Sequence, residues 1–185
     1  MLKNLKEFSK LKIEWKCWKD QVVDIVVFGS FVRGKFNPND IDVCLIFRSK
    51  VDLGIVKKVQ VILGENFHVC SLVVDNFFTN FHSLAKTVLY EGRSLITNKN
   101  LIETFAMESR VLYSYDLSRE TSVRKVQIVY LLRGRKTGEG LVKQWNGEFI
   151  SNSSFIVPLG CDSEVQEVLD KWKVKYQRKR LLLIN

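Results

Sequence analysis

The 185-residue chain carries 29 lysines and arginines against 20 aspartates and glutamates, a net charge of +9, with 46% apolar and 11% aromatic residues. That apolar content excludes a disordered chain, and the length suits one full core or one domain with a smaller one appended. Four widely spaced cysteines, Cys17, Cys44, Cys70 and Cys161, include no C-x-x-C pair, which argues against a disulfide frame or a zinc site and for reduced thiols in a cytoplasmic protein.

Residues 1–19 alternate charged and apolar positions without a long hydrophobic run, a pattern that predicts an amphipathic helix rather than a signal peptide or a membrane span. Leu2, Leu5, Phe8, Leu11, Ile13 and Trp15 recur at near-helical spacing, with lysines on the other face. Apolar stretches elsewhere stay below the roughly 18 residues a spanning helix needs, so a soluble protein with no membrane partner is expected.

The run at 24–28 is apolar and β-branched, which predicts a buried strand over 22–28, ended by the small residues Gly29 and Ser30. A polar turn over 34–39 precedes a second strand at 41–47. Asp40 and Asp42 stand two apart, so on a strand they face the same way. Like charges on one face repel and lose solvation at a cost, and a divalent cation between them resolves the conflict. Mg²⁺ suits the position: it takes one or two carboxylates, keeps several waters and completes its shell with phosphate oxygens. The plainer alternative is a solvated strand end in which Asp40 stops the Asn37-Pro38-Asn39 turn.

Further along, the pattern predicts a helix at 52–64, a strand at 67–74, a helix at 77–89 and a short apolar segment at 93–97, together a mixed α/β sheet. The polar break Asn98-Lys99-Asn100 marks the expected boundary between a domain over 1–98 and a smaller α+β unit over 99–185. In that second unit, helices are expected at 101–113 and 122–132, the latter capped by Ser118 or Thr121. Gly134, Gly138, Gly140 and Gly147 punctuate short runs at 141–142 and 148–150 that read, with 155–157, as hairpin strands. A helix over 164–172 capped by Asp162 or Ser163, and a last strand over 174–184, complete the reading.

Val26-Val27-Phe28-Gly29-Ser30, a nine-residue spacer and Asp40-Ile41-Asp42-Val43 resemble the signature of the DNA polymerase beta superfamily of nucleotidyltransferases. The likeness is closest to the prokaryotic minimal nucleotidyltransferases, which carry a glycine within the spacer, as Gly34 does here. Leu89-Tyr90-Glu91-Gly92-Arg93-Ser94-Leu95-Ile96 is similar to the segment that closes such domains, so the resemblance covers about 20–97. It implies a mixed-sheet nucleotidyltransferase core in which Gly29, Ser30 and Arg33 meet the nucleoside triphosphate and Asp40 and Asp42 hold Mg²⁺ or Mn²⁺. ATP is the expected triphosphate. The implied reaction is in-line attack of an acceptor hydroxyl, on RNA, protein or a small molecule, at the α-phosphate with pyrophosphate leaving.

The resemblance also implies a third carboxylate on a later strand, and residues 68–74 contain no acid. Asp75 fills the role if the register is shifted; otherwise Ser71 or Cys70 occupies the position, and neither is a good Mg²⁺ ligand. Two readings follow: a nucleotidyltransferase, with Asp40, Asp42 and Asp75 as its catalytic acids, and a weakened relative that binds nucleotide or nucleic acid as an adaptor. His68 and His82 have no metal-spaced neighbour and read as structural or surface histidines. Two basic clusters, Arg133, Arg135 and Lys136 in one and Arg178, Lys179 and Arg180 in the other, are either solvated faces or a nucleic-acid surface with Trp145, Trp172 and Tyr176 nearby.

Overall fold

A computed structural model describes residues 6–36, 38–79, 83–135 and 138–184. It divides into two compact units, 1–107 and 108–185.

The first unit is a four-stranded mixed sheet in the order β3-β2-β1-β4, where β1 is Val22–Phe28, β2 Ile41–Phe47, β3 Phe67–Val73 and β4 Arg93–Ser94. Strands β1 and β2 run antiparallel; β2 and β3 run parallel, joined by helix α2 (Leu53–Leu63). Asp52 caps α2 by accepting from the N–H groups of Gly54 and Ile55, the side-chain bond that short acids supply at a helix start. Successive strand residues face opposite ways, which gives the sheet two buried faces. On one, Ile25, Val27, Val43, Leu45 and Phe47 pack against Phe8 and Leu11 of α1 (Lys6–Trp18) and Ile55 and Val59 of α2. On the other, Val26, Phe28, Cys44, Ile46 and Leu72 meet Ala85 and Val88 of α3 (Ser83–Glu91). The expected helix at 77–89 is thus a 3₁₀ turn over Val74–Phe77 and then α3.

The first unit extends past the polar break at 98–100. Ser94 N–H donates to the Lys99 carbonyl, Leu101 N–H to that of Gly92, and Arg93 bridges Asn100, so the segment folds back along β4 instead of leaving the sheet. A polar break in sequence marks a turn here, and the division falls at 107/108 rather than 98/99.

The second unit is a sheet in the order β10-β5-β9-β8, with β5 at Met107–Asp116, β8 at Glu148–Ser151, β9 at Ser154–Pro158 and β10 at Lys175–Ile184. The helix expected over 101–113 is a correction: only Leu101–Phe105 is helical, as a 3₁₀ turn, and β5 follows. Val111, Tyr113 and Tyr115 are buried while Leu112 and Ser114 are less so, a period of two that belongs to a strand. Helix α4 (Ser122–Arg133) starts at Thr121, whose hydroxyl accepts from Arg124 N–H. A small hairpin of β6 (Gly134–Arg135) and β7 (Gly138–Glu139) follows, and Leu141–Gln144 is a helical turn, α5, not the expected strand. Helix α6 spans Asp162–Lys171. Among the described residues, no helix is long and apolar enough to cross a membrane.

Candidate active site

Strand β1 ends at Phe28, which stands opposite Asp42 in the antiparallel register, so the turn that follows begins beside that carboxylate. Gly29 has φ +77°, and a Cβ built on it would collide with Asp42 Oδ2 and lie 3.3 Å from Asp42 Cγ. Two requirements coincide at this position: a left-handed backbone and no side chain, and glycine alone meets both without strain. The turn continues through Arg33 N–H to the Gly29 carbonyl, 3.2 Å, and Lys35 N–H to the Ser30 carbonyl, 3.1 Å, with Gly34 at φ +82°.

Arg33 leaves this turn toward a buried acid. Its Nη1 lies 2.6 Å from Oε2 of Glu91, a side chain with no solvent exposure at the end of α3. Gly92 follows, where a Cβ would strike the Val88 carbonyl and stand 2.6 Å from Val26 Cγ1, so the end of α3 is pressed onto β1. Glu91 and Gly92 belong to the segment whose likeness was noted at 89–96. The expected nucleotide-binding Arg33 is therefore in an ion pair that ties the turn to α3; it acts first as a strut.

Asp40 is exposed just ahead of β2 and Asp42 is partly buried at its second residue, with 26% of its side chain exposed. Opposite Asp42 in the parallel register is His68, whose Nδ1 lies 3.3 Å from Asp42 Oδ1. The next row on the same face is Cys44 and Cys70. The hydrogen bond to Cys70, then burial, pushes the Cys44 thiol well up and keeps it a thiol.

The parallel register places Ser71 opposite Leu45 and Cys70 opposite Cys44, so neither stands beside Asp42. The structure does not bring Asp75 to the pair either. The last row is Val73 opposite Phe47, five residues along from Asp42 and about 17 Å away at 3.3 Å per residue, and Asp75 lies beyond it in the 3₁₀ turn. The residue that sequence reasoning missed is His68. Its signal was positional: it is the second residue of β3 as Asp42 is of β2, and parallel strands that start level pair those positions.

Among the described residues, no group of three or more histidine, cysteine, aspartate and glutamate side chains forms a ready metal cage. The donor set still fits one hard cation. Two carboxylates, with water and phosphate oxygens, match what Mg²⁺ accepts from a protein, and the close approach of Gly29 to Asp42 leaves the backbone next to such an ion free of a side chain. His68 stands next to Asp42, and imidazole suits Mn²⁺ and later transition metals better than Mg²⁺.

The basic residues of the second unit make different local contacts. Arg178 Nη1 is 3.4 Å from Oδ2 of Asp162, a fully buried carboxylate that also accepts from Tyr113 Oη at 2.5 Å. Burial, and then the Asp162 carboxylate, push the Tyr113 hydroxyl far above the ordinary tyrosine range. Arg178 therefore pairs with a core acid while its side chain stays 27% exposed; Lys179 and Arg180 beside it are exposed. Arg133 lies 3.9 Å over the Phe149 ring and donates to the Ser151 carbonyl, while Arg135 lies 4.5 Å over the Tyr130 ring. Lys136 lies outside the described residues.

Residues 9–96 match the family model of a nucleotidyltransferase domain. No curated protein and no solved structure matches the chain. The family match spans most of the first unit, including the Gly29 turn, both aspartates and the Glu91-Gly92 segment, and it supports the nucleotidyltransferase superfamily and nucleotidyl transfer in general.

Proposed function

We propose that the chain is a metal-dependent nucleotidyltransferase that moves an NMP from an NTP, with ATP the expected donor, to a hydroxyl on an RNA end, a protein or a small molecule. The observation that carries this reading is the apposition of the Gly29 turn to Asp42: backbone without a side chain lies directly against a carboxylate at the start of β2. Gly29 and Ser30 offer backbone N–H groups and a hydroxyl to the triphosphate, and a glycine turn of this kind makes an anion-binding concavity. Arg33, held by Glu91, fixes the turn's position and adds positive charge near it. Asp40 and Asp42 would hold Mg²⁺, or Mn²⁺ in its place, and the ion supplies charge neutralisation at the phosphates and acidifies an acceptor hydroxyl. The protein's own part is to align donor and acceptor and to oppose charge with fixed dipoles. The proposed setting is the cytoplasm of a prokaryotic cell, in line with the likeness to minimal nucleotidyltransferases.

A second reading has its own observation: His68 stands where a third carboxylate would complete the site, and Asp75 lies at the far end of the sheet. On that reading the unit binds nucleotide but transfers it slowly, and works as an adaptor. Incubating the protein with each α-labelled NTP, Mg²⁺ or Mn²⁺ and cell extract separates the two. Label on RNA or protein supports transfer, and nucleotide binding without transfer supports the adaptor.

A further inference from the structure

We propose that the cavity between α4 and the β6–β7 hairpin receives a base of single-stranded nucleic acid. The cavity measures about 490 Å³, and Gln127, Tyr130, Arg135, Glu139 and Trp172 line it together with the glycine backbone of the hairpin. That volume falls within the range of small-molecule sites, and the lining has the composition that planar heterocycles select: two aromatic rings, a planar amide and a guanidinium.

Gln127, Tyr130 and Leu131 come from one face of α4, at spacings of three and four, so a continuous helix sets their relative positions. Tyr130 is 43% exposed, an unusual state for a large ring with a partner already on it. That partner is the Arg135 guanidinium, 4.5 Å from the ring centroid, which sets a planar cation against one aromatic face. Gly134 and Gly138 also line the cavity; a Cβ on Gly134 would strike the Gly138 carbonyl, whereas no atom lies within 4 Å of a Cβ built on Gly138. The lining at Gly138 is thus open enough for a flat ring. Trp172 is anchored from behind, since Arg124 donates to its carbonyl.

Charge selects a polyanion as the occupant. Residues 108–185 contain 14 lysines and arginines against 9 aspartates and glutamates. The one acid in the lining, Glu139, is paired with Lys143 and does not oppose a phosphate. Base stacking on an aromatic ring beside arginine is the usual way proteins hold single strands without reading sequence, and phosphates supply the rest of the affinity. The site lies wholly within the second unit, so it stands whether or not the first unit transfers nucleotides.

The test uses the full chain and a fluorescein-labelled oligouridine of about twelve residues, titrated by anisotropy over a salt series. Tyr130→Ala should weaken binding about tenfold with the salt slope unchanged, and Tyr130→Phe should restore it, as stacking requires. Arg135→Ala should weaken binding and reduce the slope by about 0.7, one phosphate contact on a single strand. Lys58→Ala, exposed on α2 of the first unit, should leave affinity within twofold. An abasic oligomer of the same length should bind more weakly than oligouridine. The proposal is overturned if the chain binds no oligouridine, if the abasic strand binds equally well, if Tyr130→Ala and Lys58→Ala weaken binding alike, or if polyglutamate displaces the strand at equal charge concentration.

Discussion

His68 and Asp42 face each other across the parallel strands β2 and β3, with Nδ1 3.3 Å from Oδ1. The group nearest Asp42 across the strands is thus an imidazole, which suits Mg²⁺ less well than a carboxylate oxygen does. His68→Asp therefore places a third acid next to Asp42 on an exposed strand position, where no core packing is lost. Mg²⁺-dependent NMP transfer by this variant should exceed that of the wild type roughly tenfold or more, the scale on which partners of metal sites act. A filter assay with α-labelled ATP reads it, and equal or lower transfer would remove the role given to this position.

Much of this site was legible in the sequence because strand spacing and turn chemistry are local. The strands at 22–28 and 41–47 and the glycine turn follow from period-two patterning and from small residues at a turn, while Asp40 stands just ahead of β2 rather than within it. What pairs with Asp42 was legible only by position along the two strands, since register between β2 and β3 depends on how α2 returns the chain and the residue types in 68–74 do not state it. The same limit misled the reading of 107–116. Its sequence alternation is interrupted by Leu112, apolar between Val111 and Tyr113, and the choice between helix and strand was made by pairing with Pro158, Val157 and Ile156 of β9. Arg178 was taken for a surface charge because Asp162, its partner, lies sixteen residues away on another element.

Gly29→Ala tests the close approach at the turn. A left-handed φ of +77° costs an alanine roughly 1–2 kcal/mol, and the new methyl must also displace the Asp42 carboxylate. Urea denaturation should show a stability loss of at least about 1 kcal/mol, and metal-dependent ATP binding should fall with it. Unchanged binding would mean that the turn and Asp42 do not share a ligand.

Asp24 gives a prediction in pH. It accepts from Ser94 Oγ at 2.9 Å and Ile25 N–H at 2.7 Å, yet burial outweighs these bonds and raises its pKa above 3.8 in the fold. The folded state therefore holds this proton more tightly than the unfolded chain, so Asp24 stabilises the fold less as pH rises from about 3.8 through the raised value. Asp24→Asn keeps an acceptor oxygen and removes the charge. It should be as stable as wild type or more so at pH 7, with a flatter decline above pH 4; a large loss at pH 7 would contradict this.

Arg178→Ala should destabilise the second unit, because it takes a cation from the buried Asp162 carboxylate. Breaking a buried pair costs about 3–5 kcal/mol, and the lower end applies here because the arginine is 27% exposed. Hydrogen exchange should rise in β5 and α6 first. A variant with wild-type exchange in both elements would return Arg178 to the surface role expected from its basic neighbours.

The most direct measurement is equilibrium binding of ATP to the full chain, with and without Mg²⁺ or Mn²⁺, for wild type and Asp42→Asn. The account predicts wild-type affinity at least about tenfold higher with the cation, the scale of losses when a metal site is disturbed, and no such gain in Asp42→Asn, with far-ultraviolet circular dichroism unchanged. Equal ATP affinity with and without the cation in the wild type, or an undiminished gain in Asp42→Asn, would contradict it.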